Sequence, residues 1–253
     1  MWVVEDLTRL AGAQLVRLRQ EIVPGSALAK PIDISRLICP LRYDLWVRID
    51  LVRLLRDEPE LYREDFSGFL SRPPARAYHV WFKEVCCGRF RPRLYRNPKL
   101  LERAFVQRIR ETAALQESID RHGFDGSKPI RLMSGRSIRT VNGKRIGSRY
   151  FAGDGCHRMA CLYASGRTSL EPAEYEVAIH PSFQPLDNTS ILIRHLPLDR
   201  TAYLRFISSF YCDGDEIDSA DGILRHVAGR RPELLPELRS VLASDLPRVT
   251  KNE

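Results

Sequence analysis

The run Tyr150-Phe-Ala-Gly-Asp-Gly-Cys-His-Arg-Met-Ala-Cys-Leu-Tyr-Ala-Ser-Gly166 gathers unlike chemistries within a few positions. Asp154 is a carboxylate, Cys156 a thiol, His157 an imidazole and Arg158 a guanidinium. Gly153 and Gly155 punctuate them, and glycine permits tight turns and close approach of a ligand to the backbone. An Ala-, Leu- and Met-containing stretch with helical character follows at once. A helix starting there aims unpaired N–H groups and a positive dipole end at one spot, where an anion binds. His157 and Arg158 add donors of their own. The chemistry indicated is phosphate capture, with a carboxylate and a thiol beside it.

The elements that must hold this turn can be read from pattern. Tyr150 and Phe151 end a strand, and Gly166 closes a helix over 157–165. Upstream, Pro98 to Arg121 has Leu101, Phe105, Ile109, Ala113, Gln116 and Ile119 at helical spacing. Pro98 suits a first turn and Gly123 a cap. Pro129-Ile-Arg-Leu-Met133 reads as a strand, and 134–148 as a polar hairpin turning at Asn142-Gly143. Residues 174–180 alternate as an outer strand does. An amphipathic helix is expected over 4–22, stopped by Pro24-Gly25, then a strand over 31–38 and an apolar stretch over 45–55 that suits strand or helix, the helix towards its end. Residues 57–77 read as a surface excursion with Arg72-Pro-Pro-Ala-Arg76 as a loop. Residues 78–86 have the aromatic and β-branched content of a strand or buried segment. From Leu198 onward the pattern is helical.

Composition sets limits. The 253 residues suffice for one good-sized domain with additions or for two small ones. No apolar stretch approaches the roughly 20 residues of a membrane helix, and the first residues lack a signal-peptide core. A cytoplasmic protein without a membrane partner is expected. The six cysteines include no Cys-x-x-Cys pair to seed a zinc site, so reduced, buried thiols are expected. The net charge of +8 attracts polyanions, and a nucleic-acid partner stays open. A solvated basic surface accounts for it equally well.

The order of a helix ending in Glu117-Ser-Ile-Asp-Arg-His-Gly-Phe124, then Lys128-Pro-Ile-Arg-Leu132, a hairpin and Asp154-Gly-Cys-His-Arg-Met-Ala160 resembles the ParB/sulfiredoxin-like fold. Gly155-Cys-His-Arg158 is similar to the Gly-Cys-His-Arg signature of sulfiredoxins. Residues 34–42, Ile-Ser-Arg-Leu-Ile-Cys-Pro-Leu-Arg, look like their Leu-Ile-Arg-Pro-Leu-Pro strand end, with Cys39 where an arginine would sit. The resemblance covers about 31–45 and 111–180. It implies an α/β (α+β) fold with a small mixed sheet and flanking helices. The division would be an N-terminal helix over 1–30 and a nucleotide-binding core over 31–180 with an insertion at about 46–110. A helical extension over 181–253 would follow.

The family's chemistries assign the residues differently. A resemblance to its free-serine kinases implies a small-molecule phosphotransferase using ATP or ADP, with CTP as the alternative, and Mg2+. Gly153, Gly155, Cys156, His157 and Arg158 would then hold phosphates. Asp154 would bind magnesium or substrate, Asp44 would draw a proton from the attacking hydroxyl, and Arg42 and Lys128 would reach the phosphates. Asp44 is equally a turn residue or an ion-pair partner of Arg42 or Arg48, and Lys128 a solvated side chain. A resemblance to sulfiredoxins implies ATP-dependent chemistry at a nucleophilic Cys156, against a bland reading as a small side chain filling the turn. A resemblance to ParB-type proteins implies a non-catalytic nucleotide- or DNA-binding module. The acidic 212–218 stretch opposes phosphate contact there, and no recognition helix is visible. The oligomeric state is not written in the sequence.

Overall fold

The computed structural model describes residues 21–134, 140–141, 144–147, 150–180, 183, 185–196 and 198–245. The fold is mixed α/β. Strands β1 (Glu21–Pro24), β3 (Ile130–Ser134), β6 (Phe151–Asp154) and β8 (Tyr175–Ile179) form one sheet in the order β1-β8-β3-β6. β3 and β8 run parallel, and the other pairs are antiparallel. β2 (Ile32–Asp33) pairs with β7 (Ser169–Leu170), and β4 (Thr140–Val141) with β5 (Lys144–Arg145).

The helices follow from local signals. Helix α1 (Tyr43–Asp57) carries Asp44 in its first turn and Arg56 in its last, charges that suit the helix dipole. Pro73 opens α2 (Pro73–Val80), which continues without a break into a wider π-helical stretch, Trp81–Cys87. Helix α3 (Pro98–His122) is capped by Asn97, whose Oδ1 accepts from the Leu100 N–H at 3.2 Å, and it stops at Gly123 with φ 77°. Its buried face carries Leu101, Phe105, Ile109, Ala113 and Gln116. Helix α4 (Cys156–Ala164) starts straight from β6 and packs against both α1 and α3. Helices α5 (Asn188–Ile193), α6 (Arg200–Tyr211), α7 (Ala220–Arg230) and α8 (Leu235–Asp245) complete the described residues. The buried apolar cluster runs from Ile32 to Leu242, so the C-terminal helices share the core of the sheet.

Several expectations need correction. Residues 21–22, assigned to an N-terminal helix, belong to β1, and the rest of that stretch lies outside the described residues. The strand over 31–38 shrinks to β2, followed by a 3-10 turn at Ser35–Leu37, because Pro31 and Pro40 leave little room for a ladder. Residues 57–77 lie mostly at the surface, with only Phe69 and Ala75 buried, but they are helical: two short helices, Leu61–Glu64 and Phe66–Ser71, lead into α2. Proline at the first position of α2 starts that helix, which is why Arg72-Pro-Pro-Ala-Arg76 is not a loop. The 78–86 segment is buried in part but helical, its aromatic side chains packing on α3 through Phe105. β8 is interior, between β1 and β3. The 134–148 hairpin has paired arms at β4 and β5, with its Asn142-Gly143 turn outside the described residues.

Candidate functional site

The end of β6, the start of α4, the start of α1 and the π-helical stretch converge. Gly153 is tight against β3: a Cβ there would lie 2.7 Å from Met133 Cγ and 3.1 Å from the Arg131 carbonyl oxygen. Gly155 has φ 80° and ψ 16°, a left-handed conformation that L side chains rarely adopt. It turns the chain from strand into α4. Among the described residues no side chain caps α4, so its first N–H groups have no side-chain acceptor. Asp154 is exposed, and its Oδ1 accepts from its neighbour's Gly155 N–H at 2.7 Å. One amide of the turn is therefore already taken by the turn's own carboxylate.

Arg158 lies partly buried below the turn. Its Nη2 donates to the Pro129 carbonyl at 3.4 Å and its guanidinium sits 5.9 Å from the Phe124 ring centre. Its Nη1 is buried with no partner among the described residues. His157 Nε2 lies 2.6 Å from the Tyr78 hydroxyl. Burial, together with the positive charges of Arg48 and Arg108, pushes the His157 pKa well below its ordinary value. His157 is therefore a neutral imidazole, a hydrogen-bonding group and not a cation for phosphate. Burial pushes Tyr78 up to about 12, so its phenol keeps its proton.

Asp44, fully buried in the first turn of α1, is the hub of the second half. Arg42 Nε reaches its Oδ1 at 2.8 Å and Arg42 Nη2 its Oδ2 at 3.1 Å, while Arg48 Nη1 bonds Oδ2 as well. Asn188 of α5 donates to the same carboxylate. Burial alone would raise the Asp44 pKa, but the two arginines and these hydrogen bonds overcome it and hold the group well below the usual carboxylate range. Burial likewise opposes the charged form of Arg42, which Asp44 and Cys156 nevertheless hold above its ordinary pKa. Arg42 also donates to the Ala152 carbonyl on β6 and lies 3.4 Å from Cys156 Sγ through Nη2. Arg48 stacks on Trp81, 3.9 Å from its ring centre. The start of α1 is fixed from outside: the Asn188 and Thr189 N–H groups donate to the Leu41 carbonyl, and Thr189 Oγ1 accepts from the Tyr43 N–H at 3.0 Å.

Two cavities meet at this framework. One, of about 370 Å³, is lined by residues 153–158 with Arg48 and Leu115. The other, of about 300 Å³, lies among Arg42, Asp44, Trp81, Phe151, Phe183 and Asn188, and shares Arg48, Gly153 and Cys156 with the first. A third, of about 360 Å³ between Lys30, Arg36, Tyr150, Arg231 and Glu237, holds none of the sequence-predicted residues.

Of the candidates, Gly153, Asp154, Gly155, Cys156, His157 and Arg158 line the first cavity, and Arg42 and Asp44 the second. Lys128 lines neither. Its side chain is 77% exposed and 4.0 Å from Asp125 Oδ2, which fits the solvated reading. Among the described residues no group of three or more His, Cys, Asp or Glu could hold a metal ion. Sequence reasoning gave no part to Trp81, Tyr78 or Asn188 in the site. The spacing of Asp44 and Arg48, four apart on one helix, is the signal that could have made Arg48 a site residue. Comparison with family models, with curated proteins and with solved structures finds no match. Among the described residues no helix is long and apolar enough to cross a membrane.

Proposed function

We propose that this protein is a nucleotide-dependent phosphotransferase, moving a phosphate from ATP or ADP, or alternatively CTP, to a hydroxyl of a small metabolite in the cytoplasm. The reading rests on the expectation of a ParB/sulfiredoxin-like core. The helix–strand–hairpin–strand–turn–helix order from α3 to α4 supports that expectation. The observation that carries the function is the pair of adjoining cavities. One has the start of α4 and Arg158 in its lining for an anion, the other has apolar walls for an acceptor, and Arg48, Gly153 and Cys156 lie between them. Phosphoryl transfer depends mainly on such positioning and charge stabilisation.

In this reading Asp154 carries the magnesium. Its exposed carboxylate has one oxygen bonded to the Gly155 N–H and would repel phosphate unless a cation lay between them. A single carboxylate is enough, because Mg2+ is commonly held by one or two carboxylates and by substrate phosphates. Asp44 serves the reaction by fixing Arg42 and Arg48. Its oxygens are occupied by donors from three side chains and its basicity is low, so it is a weak candidate for drawing off a proton. His157, neutral and hydrogen-bonded to Tyr78, is the better group to orient the incoming hydroxyl.

The test combines a thermal-shift series against ATP, ADP and CTP with Mg2+ and phosphorus NMR of mixtures with hydroxy metabolites. A raised Tm and a new phosphoester signal are expected. Binding without turnover, together with salt-sensitive retardation of DNA in a gel, would move the protein to the non-catalytic nucleotide- or nucleic-acid-binding class.

The Arg42 guanidinium at 3.4 Å from Cys156 Sγ favours one other reading, sulfiredoxin-like ATP-dependent chemistry at that thiol. It supplies the positive charge that the arginine expected at position 39 would have brought. Cys156→Ser separates the two: phosphotransfer survives it, and thiol chemistry is abolished.

A further inference from the structure

We propose that the exposed surface of residues 88–103, extended along α3 to Arg110, binds a single-stranded nucleic acid through its phosphates and the faces of its bases, without reading a sequence. This goes beyond the phosphotransferase reading and does not depend on it.

A concentrated run of uncompensated charge with rings set in it carries the inference. From Val85 to Leu101 the chain holds Arg89, Arg91, Arg93, Arg96 and Lys99 and no aspartate or glutamate, in a protein whose net charge is +8. Residues 88–100 are all exposed except Leu94, which is half-buried. Arg89, Arg91, Arg96 and Lys99 have no carboxylate partner among the described residues, and neither do Arg103 and Arg110. Lys99, Arg103 and Arg110 fall within about 40° of one another around α3, at 3.6 residues per turn, and form one cationic stripe on that helix. Glu102 is the one acid within 88–103.

Three large apolar side chains stand exposed in the same run: Phe90 at 54%, Tyr95 at 38% and Leu100 at 44%. The Tyr95 ring is held in place. Its hydroxyl donates to Glu84 Oε2 at 3.0 Å, and Lys83 Nζ lies 5.9 Å from its ring centre. Glu84 is neutralised further by Lys83 at 3.2 Å. Phe90 also lines the cavity of about 300 Å³, so the run is continuous with a recess.

The chemistry selects the partner. Guanidinium, the main cation here, takes phosphate oxygens two at a time and also stacks on flat rings. An exposed ring is a stacking platform for a base, and an unpaired strand is what offers base faces. A nucleic acid alternates charge and flat base, as this run alternates in Arg89-Phe90-Arg91 and Leu94-Tyr95-Arg96. An acidic peptide would pair the arginines and leave the rings without a flat partner. An anionic membrane calls for an amphipathic helix with its apolar face apart from its cations. Here Pro92 and Pro98 divide the run into Gly88–Phe90, Pro92–Tyr95 and the start of α3, with rings and cations interleaved.

The experiment titrates the intact protein into a fluorescein-labelled single strand of mixed sequence, about 15 nucleotides long, made once as DNA and once as RNA. Anisotropy is followed from about 50 to 300 mM salt. The duplex of the same sequence, inorganic polyphosphate and polyglutamate serve as unlabelled competitors, and phosphatidylserine vesicles are tested by co-sedimentation. At least one strand is expected to bind in the micromolar range, with log K falling against log salt at a slope of about −3, the value for four to five phosphates at about 0.7 each. The triple variant Arg89→Gln, Arg91→Gln, Arg96→Gln, whose positions line neither site cavity, is expected to flatten that slope by about 2. Phe90→Ala is expected to weaken binding at least fivefold with the slope unchanged. The same charge change at Arg225, Arg230 and Arg239, exposed on α7 and α8, is expected to weaken it less than twofold. All these side chains are exposed, and circular dichroism establishes that each variant is folded. No strand binding, with or without vesicle binding, would overturn the proposal. So would tighter binding of the duplex, competition by polyphosphate or polyglutamate equal to that of the unlabelled strand, or equal losses in the two triple variants.

Discussion

Replacing Asp44 by Asn tests the electrostatic centre of the molecule. The side chain keeps its shape, but two buried guanidiniums, 9% and 6% exposed as residues, lose the only carboxylate that bonds them among the described residues. Removing one partner of a buried ion pair costs about 3–5 kcal/mol, because the other charge is left uncompensated. The asparagine oxygen still accepts from one arginine, which places the expected loss near 3 kcal/mol. In a chain of this size that corresponds to a fall in Tm of about 6–12 °C. Urea unfolding followed by circular dichroism at pH 7 should show the loss in the midpoint with the slope unchanged.

The pH dependence has a fixed sign. The folded pKa of Asp44 is depressed below its unfolded value of about 3.9. The stability it contributes is therefore fully present above that value and is lost as pH falls towards the folded pKa. The gap between wild type and Asp44→Asn should be constant from neutral pH down to about 5 and should then narrow. Adding Arg48→Met to the variant should recover part of the loss, since one uncompensated charge disappears while an aliphatic chain still lies on Trp81. A loss below about 1 kcal/mol at pH 7, or a gap that widens on acidification, would refute the argument.

Gly155→Ala should destabilise by about 1–2 kcal/mol from the left-handed backbone alone. It should also weaken orthophosphate binding, because its Cβ would lie 2.9 Å from Arg158 Nη2. Gly166→Ala, also at positive φ but with open space around the Cβ, should leave phosphate binding unchanged; phosphorus line broadening on both variants checks this. Tyr78→Phe should cost about 1–3 kcal/mol in urea unfolding by leaving His157 Nε2 without its partner, and a loss under about 0.5 kcal/mol would mean that this bond contributes nothing.

The legible parts of the fold are those that local rules determine. Asn97, Pro98 and Gly123 mark both ends of the long helix, and Gly153 and Gly155 mark the turn, because each acts locally, Asn97 through its side chain on an N–H three residues on and the others through their own backbone or lack of a Cβ. The π-helical Trp81–Cys87 stretch is different. Its aromatic and β-branched residues suit a strand equally well, and only packing against Phe105 and His157 decides between the two. The phosphate half of the site could be read from one continuous segment. The other half could not, because Arg42, Trp81 and Asn188 come from three distant stretches and no spacing relates them. Asn188 acquires its role from tertiary structure alone, through the bond to Asp44 and the hold of α5 on the Leu41 carbonyl.

The same three-way meeting explains why the chain keeps an arrangement so costly to bury. Two guanidiniums against one carboxylate leave a net positive charge at the wall between the cavities, and taking such groups out of water can cost more than their mutual attraction returns. Apolar replacements would serve stability better if stability were the only demand. Four further atoms in the neighbourhood are also buried without partners among the described residues: the donors Arg48 Nε, Arg158 Nη1 and Trp81 Nε1, and one acceptor, Asn188 Oδ1. A surplus of buried donors around a surplus positive charge is the state expected of a site whose missing partner is an anion. Asp44 thus matters less as a reacting group than as the anchor that holds two arginines in place for it.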